Sequence, residues 1–262
     1  MVGPGLCGCV VVWLIAPLCA VPREQDKDGQ AVAMGGVRPA GATFRGRRCS
    51  RDASPRTDRL DAMQRRSSNR DFSAYNAAQQ ERPVRPLARR AAELAADCSR
   101  ADAPATAVEL GCGIGIEARF LAASGFTVHT VDEDASIEQA MATLSTQLPI
   151  HHTRADLAQL PELPRTDLLL SCATLPFVPE PAFGALWARI REALRPRGIL
   201  AVDLFGERDD WAGTDGTYLR RADVEALLDG LEILELTEEE RDGHSFSGPK
   251  HWHTFRVIAR AR

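Results

Sequence analysis

Three glycines and a few well-spaced acids carry the chemistry of this chain. The run Val108-Glu109-Leu110-Gly111-Cys112-Gly113-Ile114-Gly115 follows a short apolar stretch. Glycines there let the backbone bend sharply and approach a ligand closely. Glu109 lies just ahead of the bend, where its carboxylate can meet a bound amino group; a phosphate would have no use for it. Downstream, Asp132 ends the segment FTVHTVD, with Glu133 beside it. A carboxylate at such a point can accept hydrogen bonds from both hydroxyls of a ribose. Asp156, in Ala155-Asp156-Leu157, follows a third apolar segment and is equally suited to capping a helix. The pattern points to a nucleoside with a positive group. A dinucleotide site is the competing reading, and Asp132 suits either. A dinucleotide fingerprint would place its third glycine at position 116, however, where this chain has Ile116. A tight strand-to-helix turn with no ligand would also use these glycines.

The elements that must hold these residues alternate. Helical spacing runs from Pro86 to Cys98, with Pro86 suited to the first turn. Strands are expected at Ala105 to Leu110, Phe126 to Val131, Pro149 to Arg154, Asp167 to Ser171 and Ile199 to Phe205. Helices are expected at Ile114 to Ser124, Ser136 to Gln147, Ala182 to Leu194 and Arg221 to Leu228. Leu231 to Leu236 and Trp252 to Ala259 read as two last strands joined by a polar loop, with no helix between them, so they can pair antiparallel. This order predicts an α/β fold: a Rossmann-like, doubly wound, mostly parallel seven-stranded sheet with an antiparallel final strand.

The glycine-rich segment resembles the first signature motif, E/D-x-G-x-G-x-G, of class I S-adenosylmethionine-dependent methyltransferases. The chain from Asp167 to the motif LRPRGILAVDLFG follows the ordering of small-molecule members, and the tellurite-resistance and thiopurine types are similar in size. The resemblance covers about residues 70–262. It implies S-adenosylmethionine as cofactor. Gly111, Cys112, Gly113 and Gly115 would cradle its methionine part, with Glu109 beside the ammonium. Asp132 would meet the ribose, with Glu133 beside it in the cofactor site, and Asp156 and the Leu157 amide the adenine. Ser171 opens the segment SCATLPF, which resembles the family's fourth motif; its loop would pass under the sulfonium, with Pro176 stiffening it and Phe177 walling the pocket. Arg197 stands where a second glycine is common before the fifth strand. No Asn/Asp-Pro-Pro-aromatic motif is present, which disfavours DNA as acceptor.

Other residues are candidates for the acceptor side. In the tail His251-Trp252-His253, a strand puts both histidines on one face and Trp252 on the other. Either histidine is a candidate base or anion binder; an edge strand with a core Trp252 is the plainer reading. Arg208 and Trp211 follow the fifth strand at the ligand-binding end of the sheet, and Tyr75 lies on a segment that can fold over the cofactor. Methyl transfer by in-line displacement needs alignment and exclusion of water. A thiolate or oxyanion acceptor needs no base; a hydroxyl or ammonium does, and His251, His253 or Asp203 is then the candidate. A non-catalytic cofactor-binding protein and an NAD(P)-dependent oxidoreductase are the alternatives.

Composition sets outer bounds. The 262 residues carry a net charge of -4, 44% hydrophobic and 26% charged residues, ordinary for a globular protein with a small-molecule partner and no nucleic acid. The seven cysteines show no metal-ligand or disulfide spacing, so free thiols, no metal and a cytoplasmic location are expected. Residues 1–62 read as an extension before a domain spanning 63–262. The apolar run from Leu6 to Val21 lacks a preceding basic residue and is short for a membrane span. The arginine-rich stretch after it has no periodicity and reads as disorder. A dispensable leader, an export signal and an anchor stay open, as does translation from Met63.

Overall fold

The computed structural model describes residues 72–96, 104–160 and 162–262. All of them lie in one unit, Asp52–Arg262; the expectations for residues 1–62 fall outside the described residues. Two helices come first, α1 (Phe72–Ala78) and α2 (Pro86–Ala96). Then β1 (Thr106–Leu110), α3 (Ile116–Ala123), β2 (Thr127–Asp132), α4 (Glu138–Gln147) and β3 (Ile150–Arg154) alternate. The second half holds β4 (Thr166–Ser171), α5 (Glu180–Ala193), β5 (Leu194–Gly206), the two-residue β6 (Tyr218–Leu219), α6 (Arg221–Leu227), β7 (Leu231–Ser245) and β8 (Gly248–Ala261).

The strands form one sheet in the order β3-β2-β1-β4-β5-β8-β7, with β6 against β5. The pairs from β3 to β5 are parallel, and β8 is antiparallel to both β5 and β7. This is the expected doubly wound sheet with its antiparallel final strand, plus the short β6 that sequence spacing did not reveal. Strands β1, β4 and β5 lie in the middle and are buried on both faces, as near-continuous apolar runs such as Leu168-Leu169-Leu170 require. Helices cover both faces: Trp187 and Ile190 of α5 pack on one, Ala91 and Leu121 of α2 and α3 on the other.

The chief departure concerns the last two strands. The polar loop expected between them is strand: β7 and β8 run on to a tight turn at Phe246 and Ser247. Charged residues on both faces hide the two-residue period there. Cross-strand ion pairs such as His251–Glu240 hold the paired extension instead. Among the described residues, no helix is long and apolar enough to cross a membrane, and no group of three or more His, Cys, Asp or Glu is placed to hold a metal.

Candidate functional site

The carboxyl ends of β1, β2, β4 and β5 open into a cavity of about 1430 Å3. In a parallel sheet this end is where the order of strands reverses and a crevice forms. Gly111, Gly113 and Gly115 all adopt left-handed φ, at 75°, 50° and 79°. The reasons differ. A Cβ on Gly111 would collide with Thr174 of the loop after β4, and one on Gly113 would come 2.8 Å from Asn76 Oδ1. Gly111 and Gly113 line the cavity with Cys112; Gly115 does not, because it packs against Met141 and Leu144. The third glycine therefore serves helix packing.

Glu109 is the outstanding group. It lines the cavity, is 2% exposed, and its Oε2 has no hydrogen-bond partner. Burial, and then the neighbouring Glu117, push its carboxyl well above the usual range. An uncompensated buried carboxylate is costly. A cationic amine in the cavity would remove that cost. Arg85 lines the same space, with its guanidinium on the Tyr75 hydroxyl at 3.1 Å. An ammonium at Glu109 and a carboxylate at Arg85 together describe the end of an amino acid.

Asp132 accepts from the amides of Gly113 (2.9 Å) and Asp134 (3.0 Å), which fixes its carboxylate at the cavity edge with lone pairs to spare. Glu133, Asp156 and Leu157 line the same end. Asp156 also caps the turn that follows, through the Ala158 amide at 2.8 Å, which is the capping reading of the sequence. Ser171 is not brought to the cavity: it is fully buried and donates to the Leu110 carbonyl at 3.0 Å, tying β4 to β1.

Helix α1 is held over the cavity by a latch. Arg82 makes two 2.7 Å hydrogen bonds to Glu117 at the start of α3, and Asn76 donates to Asp134 at 2.7 Å. Burial raises the Glu117 carboxyl, but Arg82 and the Arg85 amide outweigh it and leave it below its usual range. Sequence reasoning missed Asn76, Arg82, Arg85 and Glu117. Their signal was faint, since an isolated Arg-x-x-Arg ahead of a helix names no partner.

The acceptor side mixes hits and displacements. Tyr75, Phe177, Trp211 and Asp203 line the cavity. Asp203 is buried, which raises its carboxyl, although Arg256 and Arg85 counteract this. On β8, Lys250, Trp252, Thr254 and Arg256 face inward. His251 and His253 do not line the cavity. His253 is 1% exposed and accepts from the Arg208 amide at Nδ1, leaving Nε2–H to donate to Glu238 at 2.9 Å. His251 pairs with Asp242 and Glu240 outside, which raises its pKa. Arg208 joins that outer charge ladder through Glu238 and Glu240. The expected alternation along β8 holds, and it is Trp252 that turns to the cavity. Cys112 and Cys172 are buried free thiols whose pKa burial raises.

Residues 107–198 match the family model described as a methyltransferase domain. The match spans β1 to the start of β5, so it covers the glycine bend, Asp132 and Asp156. Solved structures share the domain's fold. TehB from Haemophilus influenzae is 16% identical, with a TM-score of 0.55 over 64% of this chain and 61% of that one. The 1,6-didemethyltoxoflavin-N1-methyltransferase of Burkholderia thailandensis, solved with its substrate and S-adenosylhomocysteine, is 18% identical, with a TM-score of 0.53 over 81% of this chain and 92% of that one. Magnesium protoporphyrin IX methyltransferase from Synechocystis PCC 6803, solved with S-adenosylmethionine, is 14% identical with a TM-score of 0.53, covering 81% and 100%. No curated protein matches. The match with TehB spans less than two thirds of that protein.

Proposed function

We propose that the domain transfers a methyl group from S-adenosylmethionine to a small-molecule acceptor. The observation that carries this reading is the buried Glu109 carboxyl in the cavity beside the glycine cradle, with its Oε2 lacking a hydrogen-bond partner, a feature that fits a cationic cofactor and opposes a pyrophosphate. Glu109 and Arg85 hold the two charges of the cofactor's amino-acid end, Asp132 the ribose hydroxyls, and Asp156 with the Leu157 amide the adenine. When bound, that cofactor supplies an electrophilic methyl on a sulfonium that departs as a neutral thioether.

The chain's own work is placement. Two walls, α1 and the β7–β8 hairpin, flank the mouth and keep water from the reacting centre. Alignment of this sort supplies on the order of 7–11 kcal/mol. Where the acceptor atom carries a proton, Asp203 takes it and later returns it to solvent, since its raised carboxyl lies closer to neutrality than an exposed aspartate.

Calorimetry with S-adenosylhomocysteine tests the assignment. Asp132→Ala should weaken binding by more than about tenfold, one lost pair of hydroxyl hydrogen bonds. Asp203→Asn should leave that affinity within about twofold while lowering turnover on hydroxyl acceptors by about 100-fold. No binding by the wild type, or tighter binding of NADH, overturns the reading.

A further inference from the structure

Strands β5 and β8 set Asp203 directly opposite Arg256 in their antiparallel register. Cross-strand partners share one face of a sheet, and both side chains line the cavity. Arg256 Nε donates to Asp203 Oδ1 at 3.3 Å. Among the described residues, none accepts a hydrogen bond from Arg256 Nη1 or Nη2, and none donates to Asp203 Oδ2. Asp203 is buried, whereas the Arg256 side chain is 48% exposed. One anchored nitrogen thus holds a guanidinium whose outer fork is open to a ligand.

Other cations at the cavity are committed elsewhere. Lys250 is ion-paired with the buried Asp209 and lies 3.7 Å from the Trp252 ring centroid. Arg241 bonds Glu239 at 2.8 Å and lies over the same ring at 6.0 Å. Arg82 spends both terminal nitrogens on Glu117. Arg85 is given to the cofactor's carboxylate by the reading above. Nor do the nearby acids cancel the Arg256 charge. Glu239 is held by Arg241, and Asp203 feels Arg85 as a second counter-charge. Two parallel N–H groups on a planar fork match the two oxygens of a carboxylate, a fit that a point charge lacks.

We propose that Arg256 sets acceptor specificity, and that the acceptor is a small carboxylic acid with its carboxylate on the Arg256 fork and its hydroxyl or amine beside Asp203. The inference rests on the methyl-transfer reading and narrows its acceptor. The Nε bond to Asp203 sets the spacing: the carboxylate and the atom to be methylated lie only a few bonds apart.

Calorimetry at pH 7 on the full chain saturated with S-adenosylhomocysteine tests it. The probes are two acids with their neutral amides, 2-hydroxybenzoate with 2-hydroxybenzamide and lactate with lactamide. In at least one pair the wild type should bind the acid about tenfold more tightly than the amide, as a charge-assisted, two-pronged contact requires. Arg256→Met should reduce that preference to about twofold or less, while unchanged S-adenosylhomocysteine affinity reports an intact fold. Arg256→Lys, with the charge but not the fork, should recover a preference of only about threefold. Asp203→Asn should keep the preference, which separates direct contact by Arg256 from an effect relayed through Asp203. No preference for the acid in either pair, or a preference that survives Arg256→Met, overturns the proposal. Failure of S-adenosylhomocysteine itself to bind would instead sink the cofactor assignment.

Discussion

Glu109 stores its function as instability. Its folded-state carboxyl is raised, so the empty site binds a proton more tightly than the unfolded chain does, and ionising it above that range weakens the fold. A cationic amine reverses the balance by requiring the carboxylate. The affinity for S-adenosylhomocysteine should therefore rise with pH above the ordinary carboxylate range, with a proton released on binding. Calorimetry in two buffers of different ionisation enthalpy would record that proton; pH-independent affinity without release would contradict the role. Glu109→Gln should abolish binding, yet raise the apo melting temperature by about 2–4 °C at a pH where Glu109 is ionised, if removing the charge recovers about 1 kcal/mol. The histidines of β8 show the opposite case. His253 was an attractive base by type, but its imidazole is spent on the Arg208 amide and Glu238.

At the scale of elements, the bend between β1 and α3 is over-determined. Gly111 combines φ 75° with contact against Thr174 from the next central strand's loop. Gly111→Ala should cost about 2–4 kcal/mol, strain plus a clash the loop must relieve, measurable as a lowered denaturant midpoint. Parallel alternation and the glycine bend were legible because each is local: period, caps and turn residues lie within a few positions of one another. The long hairpin was not, because residues such as Glu239 and Arg241 face the cavity while their neighbours face solvent, and charge on both sides erases the apolar period. Asn76, Arg82 and Arg85 were illegible for another reason. Their meaning comes from Asp134 and Glu117, dozens of positions away. Ser171 matched a motif position but faces into the sheet, a question of strand register that a sequence pattern does not resolve.

At the scale of the whole molecule, the domain joins two halves with different tasks. The β1-to-β3 half carries Glu109, Gly111, Gly113 and Asp132 at the cavity, and the half from β4 onward supplies most of its aromatic residues. Lys250–Asp209 lies in the second half, with both side chains essentially buried. Lys250→Met alone should destabilise the protein by about 3–5 kcal/mol, because it strands the Asp209 charge. Adding Asp209→Asn should recover most of that loss, since removing both charges spares the desolvation. Chemical denaturation of the two variants would read the difference, and an equal loss in both would place the cost in packing instead.

Strand β8 carries two scripts interleaved letter by letter. Positions 250, 252, 254 and 256 face the cavity, while 251, 253, 255 and 257 speak to the scaffold and the outer charge ladder. Evolution or an engineer can thus rewrite one script without smudging the other, exchanging inward residues to admit new acceptors on an unchanged frame. The same arrangement makes the strand intolerant of a frame shift: one inserted residue would swap imidazole for indole along its length, blinding the pocket and unzipping the ladder together.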